Sequence, residues 1–399
     1  MIASQSMKLR VVRIRNSVSA ATPKAMAACR PAWGTELPEP TETPAAMAPN
    51  MALRSSAFPI RMTTMTASTR AAAAIAEDAL TLNALYVCMN PLIPQAAPNP
   101  DKLADVARDT AAQGLIDGVD NLARQRVYIF TGTEDAVVSS SVVDTTRRFY
   151  ELLGVPPSAI RYESTLPAGH SIITDNPEDN PLGVNRPPYI NRGGFMQSQV
   201  ILEHIYGPLK APSERLTGRI VRFDQTEFFG ADPRASMSEF AYAYVPKAVE
   251  EGAPCRVHVA LHGCKQGYNY VNFVNGQPDL ENCPPYGNRY FTTTGYNEMA
   301  DANNLIILYP QAEGTDNAVS QNPEGCWDWW GYTAENPENP DYYSKQAIQI
   351  QAIPVVLAGG DLRALLAGIA RVGRRAGPGR SVRRLAGGAV RRRSGLSVR

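Results

Sequence analysis

Between Leu80 and Ile353 the apolar positions fall into short runs whose period switches back and forth. Arg126–Phe130 is a β-branched and aromatic run broken by Thr131–Gly132–Thr133, which predicts a buried strand ending in a loop. From Val142 to Leu153 the apolar residues recur near helical spacing, and Gly154–Pro157 stops them. Ile160–Tyr162 predicts a further short strand, and Gln197–Tyr206 a helix closed by Gly207. Arg219–Phe223 and Phe240–Val245 predict two strands, and Val257–Leu261 a strongly buried one closed by His262–Gly263. Tyr296–Ala302 reads as a short helix and Leu305–Tyr309 as another buried strand. Alternation of this kind predicts an α/β fold, a mostly parallel sheet with helices on both faces.

The ends do not share this pattern. Residues 21–67 are rich in Ala, Pro, Met and Thr and show no period that would bury a face. The tail after Arg371 is built from Arg, Gly, Ala, Ser and Val. The sequence therefore divides into a low-pattern segment 1–75, a folded body 76–355 and a basic segment 356–399. The two ends are read as poorly ordered, or as GC-rich coding DNA translated in the wrong frame.

Charge sharpens the division. The 399 residues carry a net +1, but 1–75 hold nine Lys/Arg against three Glu, and 371–399 hold ten Arg and no acid. These nets of +6 and +10 leave −15 for residues 76–370. The tail is read as a solvated extension rather than a phosphate-binding arm, so no nucleic-acid partner is expected. No apolar run nears the roughly 20 residues of a membrane span. The first twenty residues hold Lys8, Arg10, Arg13 and Arg15 without the apolar core that a secretory signal needs.

In a sheet of this class, functional side chains gather in loops beyond the carboxyl ends of strands. Three loops fit. Asp135, in Thr131–Asp135, can orient a histidine through its Nδ1–H. A turn-forming Asp is an equally good reading of that position. His170, in the Gly-flanked loop Pro167–Ser171, stands where a general base could reach a nucleophile, although a lone loop histidine is more often inert. Of the other histidines, His204 lies in a predicted helix and His258 in a predicted strand, and both are read as structural. The third loop, Leu261–Gln266, can turn backbone N–H groups towards a developing oxyanion, or is a plain strand exit.

These stretches resemble a known family, the polyhydroxyalkanoate (polyhydroxybutyrate) depolymerases. Val259–Gln266 resembles its oxyanion-loop strand, and Thr294–Asp301 and Leu308–Gln311 resemble the segments that follow. Asn322–Tyr332, with Cys326–Trp327–Asp328–Trp329–Trp330–Gly331, is the most specific match. Tyr128–Asp135 resembles the Asp loop and Gly169–His170 the His loop. The likeness runs from about Tyr86 to Ile353. Because Asp135 and His170 precede the His262–Gly263–Cys264 loop, it is the circularly permuted, single-domain α/β-hydrolase type that the chain resembles.

The resemblance implies a serine esterase cleaving polyhydroxyalkanoate or short-chain esters, with no cofactor and no metal. Asp135 would orient His170, His170 would act as general base, and the Cys264 amide would bind the oxyanion. Trp327 and Trp329 would line the substrate crevice, with core packing the better reading for at least one of Trp327, Trp329 and Trp330. A carbohydrate-side-chain esterase on the same scaffold is a close alternative, and a non-catalytic relative that binds polyester or folds poorly is the alternative of a different class. The family's Gly-x-Ser-x-Gly elbow is found nowhere in the 399 residues. Ser55, Ser56 and Ser68 stand near its expected place without flanking glycines.

Four of the six cysteines lie between 255 and 326, which favours disulfides and an oxidising compartment, and no C-x-x-C pair suggests zinc. A Cys264–Cys326 bridge would tie the oxyanion loop to the Trp-rich loop, and Cys255–Cys283 is a weaker second pairing. The family's export habit implies an extracellular or periplasmic protein. Oligomeric state is not legible in the sequence.

Overall fold

The computed structural model describes residues 82–358, apart from 92, 269, 271–272, 275–276, 279–287, 317–320 and 338. The segments 1–75 and 356–399, the Ser55, Ser56 and Ser68 positions and Cys283 thus fall wholly or almost wholly outside the described residues.

A π-helical turn, Ala84–Met89, leads to helix α1, Pro100–Ala112. The start of α1 is set locally: Asn99 Oδ1 accepts the Lys102 amide, and Pro100 takes the first position, where no N–H is needed. Strand β1 (Val127–Phe130) is followed by α2 (Ser140–Leu152) and then β2 (Ile160–Glu163). β1 and β2 pair in parallel, from Val127 opposite Ile160 to Phe130 opposite Glu163. Three short strands follow, β3 (Ile172–Thr174), β4 (Asn180–Pro181) and β5 (Ile190–Arg192), with β5 paired in parallel to both others. Helix α3, Gln197–Tyr206, occupies its predicted span.

The largest sheet holds β6 (Arg219–Asp224), β7 (Phe240–Val245), β8 (Arg256–Val259) and β9 (Leu305–Tyr309) in the order β6–β7–β9–β8. β9 runs parallel to β8 and antiparallel to β7, and β6 is antiparallel to β7. The parallel pairing expected from the alternation holds for β1–β2, β8–β9 and the β3–β5–β4 group. The β6–β7–β9 limb is antiparallel.

Every residue of β9 is buried because both faces of this sheet are covered. Alternation sends Ile306 and Leu308 into one cluster with Val221, Phe223, Ala241, Ala243 and Val245. Leu305, Ile307 and Tyr309 point the other way, with Tyr242, Tyr244, Phe291, Leu202 of α3, and Met299 and Ala300 of helix α4 (Tyr296–Asn303). Each large aliphatic side chain removed from water here contributes about 1.5–3 kcal/mol. β8 departs from its expected deep burial. Among the described residues it lies at the end of the sheet order, and its four residues are half-buried or exposed.

Helix α3 spans two sheets. The Arg126 guanidinium, just before β1, donates to the His204 carbonyl, and the Tyr206 hydroxyl lies 3.2 Å from His258 Nδ1 in β8. His204 Nε2 meets the Ala159 carbonyl at 3.0 Å. Both histidines therefore serve in packing. A last helix, α5 (Ile348–Ala358), sets Ile348 and Ala352 against Phe228, Ala235 and Met237. Among the described residues no helix is long and apolar enough to cross a membrane.

Candidate active site

Because β1 and β2 are parallel and in register, the loops after them leave the same end of the pair. The first carries Asp135 and the second His170. Their close approach depends on glycine. A Cβ on Gly132 would sit 1.8 Å from the Ala168 carbonyl oxygen, and one on Gly169 would sit 2.4 Å from that of Val184. With no side chain there, backbone bonds lace the loops: the Thr133 amide donates to Leu166 and the Glu134 amide to Ala168, while the Gly169 amide ties the His170 loop to Leu182 beyond β4.

This lacing brings Asp135 Oδ2 to 2.9 Å from His170 Nδ1. The other carboxylate oxygen, Oδ1, accepts the amides of Val137 and Val138, each at 2.9 Å. One oxygen thus faces the imidazole and the other closes a turn. Its side chain is only 7% exposed, whereas that of His170 is 39% exposed. Burial pushes the Asp135 carboxyl up, but the hydrogen bond and charge of His170, with the Val138 and Val137 amides, outweigh it and hold the group below the usual range. The Tyr189 ring stands edge-on to the imidazole, 5.5 Å between centroids.

The third loop follows β8. His262 is buried and neutral: its Nε2 accepts the Ala312 amide at 3.0 Å, so its proton sits on Nδ1, which donates to the Gly263 carbonyl at 2.7 Å. Burial lowers its pKa to about 4, and does the same to His258. Gln266 ties this loop to the His170 side of the site. Its Oε1 accepts the Gly263 amide at 2.5 Å, and its Nε2 donates to the carbonyls of Pro188 and Tyr189. The Lys265 amide is bound to the Glu324 carbonyl. Of the amides 263–265, only that of Cys264 has no hydrogen-bond acceptor among the described residues.

Cys264 is bonded to Cys326, as expected. The bridge anchors the Trp-rich loop, which winds around Asp328. Asp328 Oδ1 accepts the amides of Trp330, Gly331 and Tyr332, and Oδ2 accepts the Thr333 amide and hydroxyl. The three tryptophans separate here. Trp327 packs on His262, 5.6 Å between ring centroids, and against the Ala235–Met237 cluster. Trp330 tilts onto Tyr332, and Trp329 is the exposed indole at 36%. Cys255 is a free thiol, half-buried against the β6–β9 cluster, and its pKa is raised by burial. The expected partner of Cys255, Cys283, lies outside the described residues, and among those described Cys255 packs against apolar neighbours and forms no disulfide. Among the described residues no group of His, Cys, Asp and Glu is placed to hold a metal.

No protein-family profile matches the chain. The Poly(3-hydroxybutyrate) depolymerase of Delftia acidovorans is 35% identical over 259 residues, 64% of this chain and 46% of that protein. The polyhydroxybutyrate depolymerase of Talaromyces funiculosus is 33% identical over 265 residues, 63% of this chain and 69% of that protein. The chain belongs to the polyhydroxybutyrate depolymerase family. Its match spans about half the length of the Delftia relative. Among solved structures, a serine-to-alanine variant of a PHB depolymerase complexed with an R3HB trimer is 28% identical, with a TM-score of 0.57 over 72% of this chain and 82% of that one. The PHB depolymerase from Penicillium funiculosum is 29% identical, with a TM-score of 0.54 over 68% and 79%. Likeness to these depolymerases agrees with the α/β-hydrolase type of fold expected from the sequence.

Reasoning from sequence missed Gln266, Asp328 and Asn185, which fix the three loops. Asp328 sits in the most specific motif, yet nothing in its neighbours distinguishes a loop centre from a solvated carboxylate. Gln266 closes the oxyanion motif, but its carbonyl partners lie 77 and 78 residues away. The three-residue spacing to Gly263 was the one local hint.

Proposed function

We propose that this site performs serine-type ester hydrolysis on polyhydroxyalkanoates or their short oligomers. The observation that carries the reading is the 2.9 Å contact between His170 Nδ1 and the buried Asp135 carboxylate, with the imidazole itself partly open. In this reading Asp135 holds His170 in the Nδ1–H tautomer, leaving Nε2 to take the proton of a serine hydroxyl as it attacks the ester carbonyl. The Cys264 amide donates to the oxyanion, and the protonated imidazole returns its proton to the leaving alcohol. Water then releases the acyl group by the same steps in reverse. Trp329 offers an open apolar face for the polymer chain, whereas Trp327, packed on His262, takes a supporting role.

The domain carrying this chemistry is residues 76–355. The Cys264–Cys326 bridge supports an oxidising compartment outside the cytosol. The serine is the open element, since Gly-x-Ser-x-Gly does not occur in the sequence and the region expected to hold it precedes the described residues. That absence favours a second reading, a polyester-binding relative without triad-dependent turnover.

Hydrolysis of a soluble short-chain ester, measured alongside binding to polyhydroxybutyrate film, separates the two. For the esterase, His170→Ala and Asp135→Ala each lower the rate by at least about 10³-fold. Equal rates in all three proteins sink the triad reading. Retained film binding with no turnover in any of them supports the binding protein.

A further inference from the structure

We propose that Asn185 is the positioning residue that holds the Asp135 and His170 loops in register. It lies fifteen residues beyond His170, in the segment between β4 and β5, and is half-buried. Its single carboxamide contacts three backbone segments. Oδ1 accepts the His170 amide at 2.8 Å and the Ala136 amide at 3.0 Å. Nδ2 donates to the Glu134 carbonyl at 2.8 Å and, more weakly at 3.4 Å, to that of Gly183.

The geometry is specific. Glu134 and Ala136 flank Asp135, so Asn185 holds the residue on each side of the carboxylate. The same oxygen holds the backbone of the histidine that the carboxylate must meet. Two amides sharing one oxygen fix the distance between the loops. Lacking Asn185, the two loops would keep the backbone bonds made further back, at Thr133 and Glu134. They would lose the cross-link nearest the reacting pair. The acceptor oxygen alone bridges the two loops, and the Nδ2 donor adds a second hold on the Asp135 loop through Glu134. A displacement of 1 Å in such a pair is enough to cost about 10²-fold in rate.

This inference deepens the reading of Asp135 and His170 as an acid–base pair and rests on it. The test reads the pair directly and needs no nucleophile. In the full chain labelled with ¹⁵N-histidine and ¹³Cγ-aspartate, the downfield Nδ1–H resonance of His170, assigned with His170→Ala, and the titration of Asp135 are recorded. Asn185→Ala is expected to abolish the resonance and move the Asp135 midpoint up. Asn185→Asp, which keeps the shared acceptor oxygen, is expected to retain the resonance. Asn297→Ala, a buried amide elsewhere that binds Phe291 and Tyr309, controls for general loosening and leaves both signals unchanged. If Asn185→Ala does not fold, Asn185→Leu, of similar volume, takes its place. Survival of both signals in the folded Ala or Leu variant overturns the role of Asn185. Absence of both from the wild-type chain overturns the pair itself, and the positioning role with it.

Discussion

At Asp135 one carboxylate serves a turn with one oxygen and a histidine with the other. The sequence supported both uses equally, since either needs only an Asp in a Gly-Thr-rich loop after a strand. The depressed carboxyl gives a definite pH signature. A group whose folded-state pKa is lowered adds stability that is fully present above its unfolded value, about 3.9, and lost as pH falls through the folded one. Asp135→Asn removes that component. Urea midpoints below about pH 4 are therefore expected to fall less steeply in the variant than in the wild type. Parallel slopes would show that Asp135 is not held by its partners.

Among the elements, the Trp-rich loop owes its shape to one carboxylate and one disulfide. Asp328 accepts five hydrogen bonds from residues 330–333, so Asp328→Ala strands several loop donors together. The expected cost is about 2–3 kcal/mol, together with a red-shifted tryptophan emission as Trp330 leaves Tyr332. An unchanged spectrum and midpoint would mean that the loop holds its form without Asp328. The Cys264–Cys326 bridge closes a loop of sequence separation 62. By chain entropy, removing it with Cys326→Ala costs about 4 kcal/mol. A fall in Tm of roughly 10 °C is the expected readout in calorimetry. Prediction of the elements themselves worked best where both ends were punctuated. Gln197–Tyr206, Phe240–Val245 and Leu305–Tyr309 match residue for residue. Helix α1 went unread because its 13 residues bury little more than Ala104 and Thr110.

For the whole molecule, the buried histidines dominate the response to mild acid. His258 and His262 both have a folded-state pKa near 4, lowered by burial. The unfolded chain binds their protons from about pH 6.5, so stability is lost as pH falls from there towards 4, a window above that of Asp135. The slope of unfolding free energy against pH should approach two protons between about pH 6 and 4.5. His258→Gln should reduce it by about one, as read from urea midpoints across that range. No change on substitution would place His258 in contact with water. Both imidazoles are enclosed by aromatic rings, His258 by Tyr206 and Tyr296 and His262 by Tyr290 and Trp327. His258 lies on β8, while His262 is locked beneath the loop that β8 feeds.

The sequence by itself determined the alternating elements, the loops that bear Asp135, His170 and Cys264, and the family. Each of these is written in local period, in strand-ending glycines or in a contiguous motif. Tertiary structure decided how closely Asp135 and His170 meet, that Trp329 is open while Trp327 is packed, and that β8 lies at the end of the sheet order among the described residues. It also decided that Asn185 and Gln266 bind the loops to one another. Those outcomes depend on parallel pairing of strands more than thirty residues apart and on backbone carbonyls brought near from distant segments. A side-chain amide carries no local signal of which backbone groups it will find, because those groups are present at every position until the fold selects among them.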